Sequence, residues 1–66
     1  MSYKAKVMWN GNHYFQGQVV CGSNVECRED GTVWLWDDEE DYFPGLGDFT
    51  RHEWVEVFPE SVEEIV

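Results

Sequence analysis

The sequence predicts an all-β fold: one small five-stranded antiparallel barrel spanning residues 1–66, closed by a short C-terminal helical turn. Three observations carry this. Apolar and polar residues alternate with period two in short runs. Glycine- and asparagine-containing turn signals separate the runs. Finally, 17% of the chain is aromatic, enough large side chains for a 66-residue chain to fold without a disulfide or metal.

The elements follow in order. Tyr3-Lys4-Ala5-Lys6-Val7-Met8-Trp9 alternates, which predicts a first strand with Tyr3, Ala5, Val7 and Trp9 facing inward. Asn10-Gly11-Asn12 is a hairpin turn signal, because Asn and Gly tolerate positive φ. Phe15 to Cys21 is the second strand, with Phe15, Gly17, Val19 and Cys21 inward, and Gly17 marks a bulge or a close neighbour. Gly22-Ser23-Asn24 turns the chain into a short third strand, Val25 to Arg28, with Val25 and Cys27 inward. Glu29-Asp30-Gly31 turns it again. Thr32-Val33-Trp34-Leu35-Trp36 is a fourth strand with apolar residues on both faces. If Val33 and Leu35 face the core, Trp34 and Trp36 face the other side. Residues 37–48 read as one long loop, and Thr50 to Phe58 as the fifth strand, with Val55 and Val57 on one face and Trp54, Glu56 and Phe58 on the other. Pro59 to Ile65 reads as a helical turn, with proline in its first turn and acids early.

Charge is the strongest compositional signal. Four basic residues stand against fourteen acidic ones, a formal net charge of −10. Lys4 and Lys6 are the only charged residues in 1–25, and all fourteen acids lie in 26–66 with Arg28 and Arg51. Such a chain does not bind nucleic acid or an anionic membrane directly, so any partner held through charge is basic. No apolar run is long enough to span a bilayer. The first residues lack the apolar core of an export signal, so the expectation is a cytoplasmic protein. Cys21 and Cys27 are then expected as reduced, small core residues, a disulfide or shared metal site being the alternative.

The candidate site is the run Asp37-Asp38-Glu39-Glu40-Asp41 beside Trp34, Trp36 and Trp54. Five consecutive carboxylates approach the charge density of a nucleic-acid backbone. They also serve as a solvated loop that keeps an aromatic chain soluble and blocks edge-to-edge pairing. The run lacks the alternating Asp spacing and glycine of a calcium loop, and Cys21, Cys27, His13 and His52 lack zinc-finger spacing. With no nucleophile motif and no phosphate-binding loop, neither catalysis, a cofactor nor a metal is expected. Outward tryptophans anchor a partner or a second copy of the chain, or are covered by the helical turn through Val62 and Ile65.

Two resemblances add to this. "AKVMWNGNHYFQGQVV" is similar to the first hairpin of Tudor and related SH3-like barrels, with Ala5, Val7, Trp9, Tyr14, Gly17 and Val19 in the matching roles. "DGTVWLW" resembles a later strand of that barrel. The similarity covers the first two thirds and stops at the acidic run. It implies an SH3-like barrel and an adaptor for a basic or methylated peptide, with an aromatic cage drawn from Trp9, Tyr14, Trp34 or Trp36. In composition, the chain resembles the small acidic DNA-mimic inhibitors that bacteriophages make. That implies a non-enzymatic inhibitor occupying the basic surface of a nucleic-acid-handling protein, and it is the leading expectation. The third is a small structural subunit that closes its aromatic face by self-association.

Overall fold

In the computed structural model the chain is all-β, and its described residues form eight short strands and one 3-10 turn. The structure describes residues 2–65 apart from Asn12, Pro44 and Leu46, and for 40–43 and 47–50 it describes the backbone alone. The strands are β1 (Ser2–Lys6), β2 (Val19–Gly22), β3 (Asn24–Cys27), β4 (Val33–Asp37), β5 (Glu40–Phe43), β6 (Gly47–Thr50), β7 (Glu53–Val57) and β8 (Glu63–Ile65). The 3-10 turn is Pro59–Ser61.

All pairing between strands is antiparallel. One sheet has the order β2-β1-β8, a second β3-β4-β7, and β5-β6 is a separate hairpin. The two larger sheets join where β2 runs through Ser23 into β3, and where Val7 bridges Val57. Met8 N–H donates to the Glu56 carbonyl at 3.1 Å and Phe58 N–H to the Lys6 carbonyl at 2.9 Å. The described ladders do not close into a barrel, and the strands number eight rather than five. The three additions fall where the sequence pattern is weakest. β5 lies inside the expected loop, and β6 begins in it and ends at Thr50, the first residue of the expected fifth strand. β8 replaces the second half of the expected helical turn: Val62 is already extended, and Glu63 and Glu64 pair with Lys4 and Tyr3 of β1.

The Asp30-Gly31 signal produces the expected turn. Gly31 adopts φ +87°, where a side chain would be strained. Asp30 Oδ1 accepts both the Thr32 N–H at 3.0 Å and the Thr32 hydroxyl at 2.6 Å. These bonds hold the Asp30 carboxyl below its ordinary pKa. The first hairpin differs from expectation. Gln18 N–H closes onto the Phe15 carbonyl at 3.0 Å, and Gly17 has φ +87°. The second strand therefore begins at Val19 rather than Phe15. Ala5 pairs with Val20, so Val20 enters the core and Val19 is 57% exposed. Both residues are valine, so the sequence carried no mark of which one points inward, and a one-residue shift reverses every side chain.

The core is Ala5, Val7, Val20, Leu35, Val55 and Val57. Tyr3, Tyr14, Val25, Val33 and Val62 pack against it. Leu35, Val55 and Val57 are buried and Val33 packs against them, which decides the inward face of β4 that the sequence leaves open and puts Val55 and Val57 on one face as expected. The aromatic core does not form: no described tryptophan, tyrosine or phenylalanine is fully buried. Trp9 is 62% and Phe15 64% exposed, against the inward positions expected for both. Cys27 is also exposed rather than inward; both cysteines are free thiols.

Candidate functional site: an aromatic face and a buried carboxylate

The register of β3-β4-β7 places Trp34, Trp36 and Trp54 on the outer face of that sheet, all half-buried. Glu26, Trp34 and Glu56 form one row across the three strands, and Asn24, Trp36 and Trp54 form the next. At ladder spacing the outer members of a row are roughly 10 Å apart. Trp36 and Trp54 pack with ring centroids 5.4 Å apart at 56°, and His52 stacks on Trp36 at 6.1 Å. The three tryptophans named from the sequence are therefore brought together.

Arg28 completes the first row. Its guanidinium carbon lies 4.2 Å from the Trp34 ring centroid, and its Nε is 3.1 Å from Glu26 Oε1. Trp34 Nε1–H donates to the Thr32 hydroxyl at 2.8 Å, which fixes the indole. The sequence reading missed Arg28, yet a signal was present. The Asp-Gly turn sets Cys27 opposite Val33, so Arg28 lies diagonal to Trp34 on the same face, within reach of a long side chain.

A cleft of about 170 Å³ borders the same face. Its lining includes Trp9, Tyr14, Trp34, Glu53, Trp54 and Glu56. Trp9 Nε1–H donates to Glu56 Oε1 at 3.0 Å, which ties the exposed indole to β7.

The acidic run does not act as one surface. Asp37, the last residue of β4, is 0% exposed. It accepts the Tyr14 hydroxyl at 2.5 Å and the Glu39 N–H at 3.1 Å, and pairs with Arg51 Nε at 3.2 Å. Arg51 also reaches Glu39 Oε2 at 3.2 Å. Asp37 is thus an internal tie between the first loop, β4 and the segment before β7, and is removed from the contact set. Asp38 accepts the Ser23 hydroxyl at 2.7 Å. Asp38 and Glu39 lie between strands, while Glu40 and Asp41 belong to β5, opposite Thr50 and Phe49. The surroundings of the Glu40 and Asp41 side chains lie outside the described residues. Among the described residues no three His, Cys, Asp or Glu side chains are grouped to hold a metal ion, and no helix is long and apolar enough to cross a membrane.

Besides Asp30, Cys21 and Tyr14 have displaced pKa values. Burial, reinforced by Glu39, pushes the Cys21 thiol up. Burial also raises Tyr14 well above its ordinary value of 10.0, reinforced by its bond to Asp37 and the charges of Asp37 and Glu53. The folded state keeps this phenol neutral, while the unfolded chain ionises it near pH 10. Its stabilising contribution is therefore complete below pH 10 and is lost as pH rises above that. The urea midpoint of the wild type is expected to fall between about pH 8 and about pH 11, and Tyr14→Phe to reduce that fall. Equal falls in both proteins would remove Tyr14 as the cause.

Comparison with known proteins returns nothing: no family model, curated protein or solved structure matches the chain.

Proposed function

We propose that the protein is a non-enzymatic binding protein whose tryptophan face, flanked by carboxylates, occupies the basic surface of a nucleic-acid-handling protein, as a DNA-mimic inhibitor does. One observation carries the reading. The face already holds a cation: Arg28 lies on Trp34 beside Glu26. Its tryptophans are withheld from a core that the chain builds from alanine, valine and leucine. Half-buried aromatic anchors with charged rims are the composition of a protein-binding surface. The carboxylates Glu26, Glu53 and Glu56 steer a basic partner toward it. An SH3-like arrangement accords with this reading, favoured by the β2–β3 passage between sheets and the Val7–Val57 bridge.

A second reading, an adaptor that takes one basic or methylated side chain, is favoured by the Trp9–Trp54 cleft. The two differ in footprint. A mimic spreads its contacts over many carboxylates and competes with nucleic acid, whereas an adaptor depends on one pocket.

The test is capture from a bacterial lysate at low salt on immobilised wild type, Trp34→Ala and Trp54→Ala. A DNA- or RNA-binding protein retained by the wild type is expected. Added duplex and rising salt should release it, and each variant should weaken it about fivefold or more. Retention that neither duplex nor salt disturbs, or no such protein, would overturn the inhibitor reading.

A further inference from the structure

We propose that the cleft between Trp9 and Trp54 binds the guanidinium of an unmodified arginine presented by a basic partner protein. This rests on the reading of the chain as a binder of basic surfaces, and names the side chain it recognises.

The chain supplies its own precedent. A guanidinium already sits 4.2 Å from the Trp34 ring centroid with a carboxylate oxygen 3.1 Å from its Nε. The neighbouring cleft repeats those materials: no lysine or arginine is among the described residues that line it, and the nearby Arg51 guanidinium lies over its Tyr14 ring at 5.7 Å. Trp9 and Trp54 supply rings, and Glu53 and Glu56 supply carboxylates. Glu56 is the cross-strand partner of Trp34 on β7, as Glu26 is on β3, so Trp34 lies between two carboxylates. The Trp9 indole bond holds Glu56 at one oxygen, which leaves the second as an acceptor. A planar guanidinium stacks on aromatic faces and donates as a fork to carboxylates, whereas an ammonium does neither as well. Selection of arginine over lysine at equal charge is the distinctive consequence.

The full-length chain is titrated with hexa-arginine and with hexa-lysine, followed by tryptophan fluorescence and by the indole N–H signals in nitrogen-15 spectra. Hexa-arginine is expected to bind about fivefold tighter or more, moving the Trp9 and Trp54 signals. Trp9→Ala and Glu56→Gln should each bring hexa-arginine down to the affinity that the same variant has for hexa-lysine. Trp9 is 62% exposed, so its truncation leaves the fold intact, which an unchanged melting temperature confirms. Equal affinity for the two peptides in the wild type would overturn the proposal, as would a preference that survives both variants. The inhibitor reading fails separately. Arginine selectivity without capture of a nucleic-acid-binding protein keeps the cleft and removes that target. Capture that persists in Trp9→Ala without arginine selectivity does the reverse.

Discussion

Gly22→Ala is expected to abolish cooperative folding at 25 °C. Gly22 is buried at the point where β2 passes over β4 on its way into β3. A Cβ built there falls 1.9 Å from the Trp36 carbonyl oxygen, 2.8 Å from its carbon and 2.9 Å from Leu35 Cδ2. Two of these are backbone atoms of β4, the central strand of its sheet, so no side chain can swing aside. Overpacking of a tight site costs about 1–3 kcal/mol when neighbours can shift, and more when the neighbour is backbone. A single core in a chain this small supplies only about 3–5 kcal/mol in total. The described core here has one leucine, four valines and an alanine. The measurement is a urea transition followed by tryptophan fluorescence. Gly11→Ala is the control, because a Cβ there meets nothing within 4 Å, and it should change stability by less than about 0.5 kcal/mol. A Gly22→Ala protein within about 1 kcal/mol of the wild type would show that the two strands can separate without loss of the fold.

The legibility of this fold varied with how local its causes are. The Asp30-Gly31 turn was readable because an αL glycine and an aspartate that binds its own neighbours act within four residues. That Val55 and Val57 share a face was readable because the valines alternate with Trp54, Glu56 and Phe58, whereas β4, apolar on both faces, left its inward side open. Val19 and Val20 were not, since identical side chains carry no parity, and a tight turn at 15–18 set the register instead. β5 was hidden because a run of like charges reads as solvated loop, although its backbone pairs with β6. Aromatic content this high reads as core material. Its placement on the outer face instead follows from Leu35 and Val33 claiming the inward positions of β4, which leaves Trp34 and Trp36 no other side.

That placement also answers why the strongest repulsion in the chain adjoins its tryptophans. The run begins inside the fold, with Asp37 balanced by Arg51 and Tyr14. The carboxylates beside the tryptophans come instead from β3 and β7: Glu26 and Glu56 share the outer face with Trp34, and Glu53, opposite the buried Asp37, lines the Trp9–Trp54 cleft. The candidate surface was therefore half visible. Its rings were named from a continuous stretch, while its charges were credited to residues that sit elsewhere.

Asp37→Ala is the second large effect expected. A buried carboxylate is stable only while its partners remain, and Asp37 has three: the Tyr14 hydroxyl, the Glu39 N–H and the Arg51 guanidinium. Arg51 is itself only 12% exposed. Removing one partner of a buried pair costs about 3–5 kcal/mol, because the remaining charge stays desolvated. Arg51 keeps Glu39 at 3.2 Å, which sets the loss toward the lower end, about 3 kcal/mol. The Tyr14 hydroxyl loses its acceptor as well, adding about 1 kcal/mol. In so small a domain that total leaves little folded population. The charge-free counterpart separates this cause from a cavity. Asp37→Leu combined with Arg51→Met and Tyr14→Phe removes every polar member that needs Asp37's side chain except the Glu39 amide. Buried ion pairs replaced by apolar groups of similar volume are often neutral, so the triple variant should recover most of the lost stability. Urea midpoints of wild type, single and triple variants decide it. If the triple variant is no more stable than Asp37→Ala, the network contributes more than charge balance. If Asp37→Ala itself loses less than about 1 kcal/mol, Asp37 is not the tie that joins the first loop to the β4–β7 sheet.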